Sequence, residues 1–120
     1  MIRVLYVDDE ADIREIAEMA LSLDPEFDVR VAASGAEALA QAAEWQPDLV
    51  LLDVMMPEMD GPAVLKRLRQ DPATAAIRVA FITARAQRSE IQNFITLEAV
   101  GVIAKPFDPI TLAAQIRTML

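Results

Sequence analysis

Leu49-Val50-Leu51-Leu52-Asp53 is the stretch of sequence that decides the fold. Its four consecutive apolar residues lack the alternation of a half-exposed strand, and such a run is typical of a strand covered on both faces. Strands of this kind occur in parallel sheets, because the helices of successive βαβ units pack on either side. We therefore expect a central parallel strand with Asp53 at its end.

Apolar runs on either side of this stretch predict further strands, and the amphipathic stretches between them predict helices. The predicted strands cover residues 3–7, 27–31, 49–52, 79–82 and 102–104, and the predicted helices cover residues 13–21, 34–45, 61–68, 90–97 and 108–120. Strands that alternate with helices in this way imply right-handed parallel crossovers. The whole chain, residues 1–120, is thus predicted to be one doubly wound α/β domain.

Three of the predicted helices begin with capping signals. Ser34 and Glu37 have the spacing of a capping box, and Gly61-Pro62 suits a helix start. Asp108-Pro109 predicts a cap and a first helical position, with Ile110 on the apolar face of the last helix. The apolar face of the first helix is predicted to hold Ile13, Ile16, Ala17, Ala20 and Leu21.

Composition narrows both the location and the chemistry. The chain has 120 residues, a formal net charge of −8 and neither cysteine nor histidine. Binding to a nucleic-acid backbone needs clustered Lys and Arg, so this domain is not expected to bind nucleic acid. No apolar run reaches membrane-spanning length and no signal peptide is recognisable, so we expect no membrane contact and a cytoplasmic location. Any step that needs an imidazole must take it from another protein.

Polar side chains follow four of the five predicted strands. In a doubly wound sheet, ligands bind at the carboxyl ends of the strands, beside the point where strand order reverses. These ends carry, in chain order, Asp8 and Asp9, Asp53, Thr83 and Lys105. Three crowded carboxylates repel one another unless a cation joins them, and oxygen ligands favour Mg2+. A carboxylate nucleophile, Mg2+ and a lysine are together what phosphoryl transfer to an aspartate requires.

Each of these residues also has a simpler interpretation. Acidic residues after a strand often begin a helix, a threonine at a strand end is often a cap, and a single lysine is usually solvated. Their coincidence on successive strand ends makes those interpretations poor for the set as a whole. The other acidic residues nearby, Glu10, Asp12 and Asp60, are interpreted as solvated or capping groups.

Four segments carry a more specific signal. They are Val7-Asp8-Asp9-Glu10, Leu52-Asp53-Val54-Met55-Met56-Pro57-Glu58-Met59-Asp60-Gly61, Phe81-Ile82-Thr83-Ala84 and Ala104-Lys105-Pro106-Phe107. Together, in this order and spacing, they make the chain resemble the receiver domains of two-component response regulators, such as the chemotaxis regulators, over essentially its whole length. The resemblance implies a flavodoxin-like fold, with a five-stranded parallel sheet of order 2-1-3-4-5 and five helices.

The resemblance also implies separate roles for the acidic residues in phosphoryl transfer and in Mg2+ binding. Asp53 would be the phosphoacceptor, taking the group from a phosphohistidine on a histidine kinase or a histidine phosphotransfer protein. Mg2+ would be held by Asp9, by Asp53 and by the backbone carbonyl of Met55, with Asp8 acting through a coordinated water. The phosphorylated domain would then bind an output protein or domain with changed affinity.

Further roles are implied at the ends of the fourth and fifth strands. Lys105, the Thr83 hydroxyl and the Ala84 amide would each bind an oxygen of the phosphoryl group. The peptide bond between Lys105 and Pro106 would be cis.

The chain departs from many relatives at two positions. Val102 stands where an aromatic residue is common, and Glu98 stands where a glycine often ends the fourth helix. Met55 and Arg85, two residues beyond the phosphoacceptor and the threonine, are predicted to control the access of hydrolytic water. Met55 would act as a flexible apolar shield.

Three other functions compete with this interpretation. A phosphohydrolase of the haloacid dehalogenase class uses a similar nucleophile, but it places a second aspartate where this chain has Met55. A degenerate receiver that serves only as an interaction module usually lacks the acidic pair, the acceptor or the lysine, and all are present here. The hypothesis of nucleotide binding has less support than the other two, because no Gly-rich loop follows the first strand.

Overall fold

One parallel sheet organises the molecule. The computed structural model describes residues 1–84 and 99–120, and its strands pair in the order β2-β1-β3-β4-β5. This order confirms the expected doubly wound, flavodoxin-like fold. The strands are β1 Ile2–Val7, β2 Phe27–Ala32, β3 Leu49–Asp53, β4 Arg78–Thr83 and β5 Gly101–Ala104, each within about one residue of its predicted bounds.

Helices cover both faces of this sheet. Those in the described ranges are α1 Ala11–Ser22, α2 Gly35–Trp45, α3 Gly61–Gln70 and α4 Leu112–Arg117. The helix predicted over residues 90–97 lies outside the described residues, as do Arg85 and Glu98. Among the four helices described, none combines the length and the apolar character needed to cross a membrane.

The caps of α2 and α3 show why these helices begin where they do. The Ser34 side chain accepts a hydrogen bond from the Glu37 amide at 3.2 Å, as the capping signal predicts. Asp60 caps α3 in the same way, because its carboxylate accepts from the Ala63 amide at 2.9 Å. Asp60 is therefore a capping group, as expected, and Asp12 is exposed in the first turn of α1.

Two apolar clusters sandwich the sheet. All five residues of β3 are buried, which agrees with its unbroken apolar run. Alternate residues of β1 point to opposite faces, so that Leu5 lies in the cluster with α2 and α3, whereas Tyr6 lies in the cluster with α1 and α4. The hydrophobic side chains of the strands thus fix the sheet in place and leave only the strand ends for polar groups.

The last helix begins later than predicted. The Asp108 carboxylate accepts a hydrogen bond from the Ile110 amide at 2.9 Å, which closes a local turn. Residues 109–111 lie in this turn, Leu112 is the first helical residue, and the predicted helical start at Pro109 is wrong. As a consequence, Ile110 is exposed and does not face the sheet.

Two apolar residues, Ile16 and Val102, need separate comment. Ile16 is 44% exposed, so its predicted place on the inward face of α1 is wrong; it borders a surface groove beside Pro109. Val102 is half-buried, pairs in register with Phe81 and packs against the cluster beneath α2 and α3. Val102 therefore acts as a packing residue in this structure.

Candidate functional site

Four strand ends meet at the carboxyl edge of the sheet, as the sequence predicts. Asp8 follows β1, Asp53 ends β3, Thr83 ends β4 and Lys105 follows β5. Asp8, Asp53 and Thr83 are almost fully buried, with exposed fractions of 0%, 4% and 3%. Buried charge at a sheet edge is costly unless it is paired, so the contacts of these groups carry information about function.

Lys105 lies at the centre of this edge. Its Nζ donates to Asp8 Oδ2 at 3.0 Å, to Glu10 Oε1 at 3.3 Å and to Asp53 Oδ2 at 3.3 Å. The Lys105 backbone amide donates to the Thr83 carbonyl at 2.8 Å, which fixes the start of the loop relative to β4. The ammonium group thus neutralises part of the charge of two buried carboxylates.

Three donors hold the carboxylate of Asp8. Asp8 Oδ2 accepts from the Tyr6 hydroxyl at 3.1 Å and from Lys105, and Oδ1 accepts from the Glu10 amide at 3.0 Å. Arg14 donates to the backbone carbonyl of Asp8 at 2.7 Å. Because its side chain is fully buried and both oxygens are engaged, Asp8 is a fixed charge and a poor candidate for a nucleophile.

Burial and neighbouring charges shift the pKa values of this group. Burial, followed by the charge of Asp8, raises the pKa of Asp53 to about 6, although Lys105 opposes the shift. Burial alone would lower the pKa of Lys105, but the hydrogen bonds and charges of Asp8 and Asp53 outweigh it and raise that pKa. Burial and then Asp8 raise the pKa of Tyr6 well above its usual range, so its hydroxyl remains a hydrogen-bond donor.

A second acidic feature lies beside these residues. Carboxylate oxygens of Asp8, Asp9 and Glu10 lie within 4.8 Å of one another, with Asp9 and Glu10 exposed. Asp53 is not a member of this set, but it shares the Lys105 ammonium group with Asp8 and Glu10. The interpretation of Glu10 as only solvated or capping is wrong in part, because it makes no side-chain cap bond and pairs with Lys105.

The loop after β3 holds Asp53 against the start of α3. Asp53 Oδ1 accepts a hydrogen bond from the Met55 amide at 3.3 Å. Gly61 leaves no room for a side chain, since an added Cβ would lie 2.8 Å from the Asp53 carbonyl oxygen. The glycine of the Met59-Asp60-Gly61 segment is therefore needed for close approach of helix and strand.

A cleft gives access to Asp53 from solvent. Met55, whose side chain is 68% exposed, and exposed Ala84 stand at its rim. The peptide bond between Lys105 and Pro106 at the far side is cis, the conformation implied by the resemblance. The lining residues are Glu10, Asp53, Met55, Ala84, Lys105 and Pro106.

Sequence reasoning missed two residues of this edge, Tyr6 and Glu10. A tyrosine within a buried strand must find a partner for its hydroxyl, and the residue two positions on, Asp8, lies on the same face of the strand. That pattern was sufficient to predict the contact with Tyr6. No comparable signal existed for Glu10, because its pairing with Lys105 joins residues 95 positions apart.

Comparison with known proteins agrees with this geometry. The family model of the response regulator receiver domain matches residues 4–117. The DNA-binding dual master transcriptional regulator RpaA of Synechocystis sp. is 38% identical over 121 residues, which cover 100% of this chain and 49% of RpaA. The response regulator PleD of Caulobacter vibrioides is 41% identical over 118 residues, which cover 98% of this chain and 26% of PleD. The chain thus spans between about a quarter and about half the length of these relatives.

A solved structure leads to the same family. The chemotaxis protein CheY4 of Vibrio cholerae is similar to this chain with a TM-score of 0.91 and 32% identity, over 100% of this chain and 99% of that protein. The family model covers nearly the whole chain, and the segments that carry the resemblance form the carboxyl edge of the sheet. The chain therefore belongs to the family of response regulator receiver domains, the signalling domains of two-component systems.

Proposed function

We propose that Asp53 accepts a phosphoryl group in the presence of Mg2+, and that the modified domain binds an output partner with changed affinity. The observation that carries the proposal is the position of Lys105, whose Nζ lies 3.3 Å from Asp53 Oδ2 at a solvent-accessible cleft. Phosphorylation adds a charge of about −1.5 to −2 near neutral pH, and a cation beside the acceptor can offset it. The proposal places this exchange in the cytoplasm.

The chemistry needs a nucleophile on this chain and an imidazole on another. An Asp53 oxygen forms a bond to phosphorus while the bond from phosphorus to the donor's imidazole nitrogen breaks. The electron pair of that bond returns to the nitrogen, which then takes up a proton. These 120 residues contain no histidine, so the imidazole would come from outside them, on a histidine kinase or a histidine phosphotransfer protein.

Three groups would bind the transferred oxygens. Lys105 already lies within hydrogen-bond distance of Asp53, and it would turn from the free carboxylate to the phosphoryl group. The Thr83 hydroxyl and the Ala84 amide follow from the end of β4, next to Asp53 at the end of β3. Groups placed in this way stabilise charge that develops on the phosphoryl oxygens without moving far.

The donor set suits Mg2+, which prefers oxygen ligands and retains several waters. Asp9, Asp53 and the backbone carbonyl of Met55 would hold it, with Asp8 acting through a water. Bound Mg2+ would supply positive charge at the transferred group. The fit rests on the exposed Asp9 carboxylate beside buried Asp8, whose oxygens already accept three hydrogen bonds and therefore favour an indirect contact.

Intact-mass analysis with acetyl phosphate and Mg2+ tests this proposal. We expect the wild-type domain to gain one phosphoryl group, Asp53→Asn to gain none, and Asp9→Ala to lose the dependence on Mg2+. Asp48→Asn, at the opposite edge of the sheet, is the matched control and should be modified like the wild type. Modification of Asp53→Asn under the same conditions would show that the acceptor is another residue.

The same preparation separates this function from that of a phosphohydrolase. A haloacid dehalogenase-type enzyme needs a general acid two residues after its nucleophile, and Met55 has no ionisable group. We therefore expect no turnover of small phosphate monoesters such as p-nitrophenyl phosphate. Sustained turnover that depends on Asp53 would favour the hydrolase instead.

A further inference from the structure

Tyr6 lies within the core and contacts both Asp8, which follows β1, and the loop after β5 that carries Lys105. Its side chain has no exposed surface, and it is the only tyrosine of the sequence. Its hydroxyl donates to Asp8 Oδ2 at 3.1 Å. Its ring meets that of Phe107, two residues beyond Lys105, edge-on with centroids 6.2 Å apart.

We propose that the Tyr6 hydroxyl is a positioning group that holds the Asp8 carboxylate in the orientation needed for Mg2+ binding. This inference rests on the proposed function, because it concerns the metal and phosphoryl site at Asp53. It assigns Tyr6 no contact with the metal or the phosphoryl group. The hydroxyl acts through Asp8 alone.

The hydrogen bonds of Asp8 explain why such a group is needed. Asp8 Oδ2 is shared between Tyr6 and Lys105, and Lys105 is also the residue that must turn toward a phosphoryl group on Asp53. When Lys105 leaves, the Glu10 amide still holds Oδ1, but Oδ2 retains only Tyr6. A buried carboxylate oxygen is costly to leave without a donor, so the Tyr6 hydroxyl fixes Oδ2 for metal binding independently of Lys105.

The ring adds a second constraint. Phe107 is half-buried and packs on the same cluster as Tyr6, so the loop that carries Lys105 rests against the ring whose hydroxyl holds Asp8. A phenylalanine at position 6 would preserve this packing and remove only the hydroxyl. The two roles of Tyr6 can therefore be separated by substitution.

Titration of Mg2+ by calorimetry into the unphosphorylated domain tests the inference. Tyr6→Phe is expected to weaken Mg2+ binding by roughly tenfold, the lower end for groups that orient a metal ligand. At saturating Mg2+, its rate of phosphorylation by acetyl phosphate should return to within about twofold of wild type, since only binding is affected. Phe107→Leu is the packing control, and it should bind Mg2+ within about twofold of wild type.

The outcomes separate the two levels of the proposal. If the wild type binds no Mg2+, the proposed function fails; if Tyr6→Phe binds Mg2+ as tightly as the wild type, only the positioning role fails. If Tyr6→Phe does not fold, fluorine NMR of the wild-type domain with 3-fluorotyrosine at this single position provides the test. The resonance should shift during Mg2+ titration with the midpoint measured by calorimetry, and a resonance unmoved by Mg2+ would overturn the inference.

Discussion

The two edges of the sheet differ in how far their charged side chains are buried. At the carboxyl edge, Asp8 and Asp53 are buried and share one cation, Lys105. At the amino edge, Arg117 pairs with Asp24 at 2.6 Å and with Glu26 at 3.1 Å, and all three side chains reach solvent. The carboxyl edge therefore has an excess of buried negative charge, whereas charges at the amino edge are paired and hydrated.

Three arginine side chains also pack on aromatic rings. Arg3 and Arg30 lie over the Trp45 ring, at 5.8 and 4.7 Å from its centroid, and Arg117 lies over Phe27 at 5.1 Å. Contacts of this kind add modest stability and leave no charge buried alone. Within residues 1–84 and 99–120, the carboxyl edge, where a ligand and a phosphoryl group are proposed to bind, holds buried carboxylates in excess of their cation, and the ion pair at the amino edge does not.

The largest effect is expected from removing the shared cation. Lys105→Met leaves two buried carboxylates without their cation, and we expect the free energy of unfolding in chelator to fall on the order of 3 kcal/mol. Mg2+ should restore part of this loss because it replaces the missing positive charge. Arg117→Met, the matched change at the amino edge, should cost much less, since its partners are hydrated. Urea denaturation of both variants with and without Mg2+ measures the contrast, and equal losses would contradict it.

Removing a carboxylate from the carboxyl edge should raise the free energy of unfolding, whereas removing one from the amino edge should lower it. The folded pKa of Asp53, about 6, lies above the usual value near 4 in an unfolded chain, so the folded state binds more protons between these pH values. Ionisation of Asp53 should therefore lower stability as pH rises through this window, by on the order of 2–3 kcal/mol. Asp53→Asn should be more stable than wild type in chelator at pH 7.5, and the difference should vanish near pH 4.

Asp24→Asn supplies the control for this measurement. The hydrogen bond from Arg117, followed by that from the Glu26 amide, lowers the pKa of Asp24, so its ionised form stabilises the fold. That contribution is present at neutral pH and lost as the pH falls, so Asp24→Asn should be slightly less stable than wild type at pH 7.5. Urea denaturation from pH 4 to 8 compares the two variants. A gain for Asp24→Asn, or a loss for Asp53→Asn, would show that the edges do not differ as described.

The lifetime of the phosphoryl group should depend on the exposed methionine at the carboxyl edge. Met55 lines the cleft at Asp53, and we propose that its apolar side chain limits the approach of water. Met55→Asn should speed loss of the phosphoryl group by roughly threefold or more, which is a barrier change of about 0.7 kcal/mol. Met19→Asn is the control, since Met19 is similarly exposed, at 65%, but lies on α1. Decay followed by intact mass should be unchanged there, and slower decay in Met55→Asn would refute the shielding.

The smallest expected effect concerns two residues with left-handed backbone. Glu58, with a φ of 68°, sits in a tight turn in which the Met59 amide donates to the Pro57 carbonyl. Glycine adopts this conformation without steric cost, so Glu58→Gly should raise the free energy of unfolding by about 0.5–1 kcal/mol. Gln46, with a φ of 55°, is the comparison at the amino edge.

The Gln46 side chain changes the expectation for glycine at that site. Its Nε2 donates to the carbonyls of Ala42 and Ala43 at 3.3 and 3.1 Å, and glycine would lose both bonds. Gln46→Gly should therefore change stability by less than Glu58→Gly. Thermal or urea denaturation of the two variants tests this order, and a larger gain for Gln46→Gly would contradict it.

The sheet was predictable because its signals are local. The buried run at β3 and the alternation in β2 follow from residues that are adjacent in sequence, and both appear in the structure. Ser34 likewise predicted the start of α2, since the hydrogen bond of a capping side chain spans only two or three residues along the chain. The start of α4 was predicted wrongly because a short side chain can bond to more than one nearby amide. The Asp108 carboxylate accepts from the amide of Ile110, which closes a turn and does not cap a helix.

By itself, the sequence determined the strand order through its motifs, the identity of the polar residues at the strand ends, and their meeting at one edge. Tertiary structure alone decided how those residues are paired. The contact of Lys105 with Asp8 joins residues 97 positions apart. No pattern of apolar and polar residues along the sequence predicts that the ammonium group also reaches Glu10 and Asp53. Those distances depend on how the crossover helices set the strands against one another, which is a property of packing across the whole sheet.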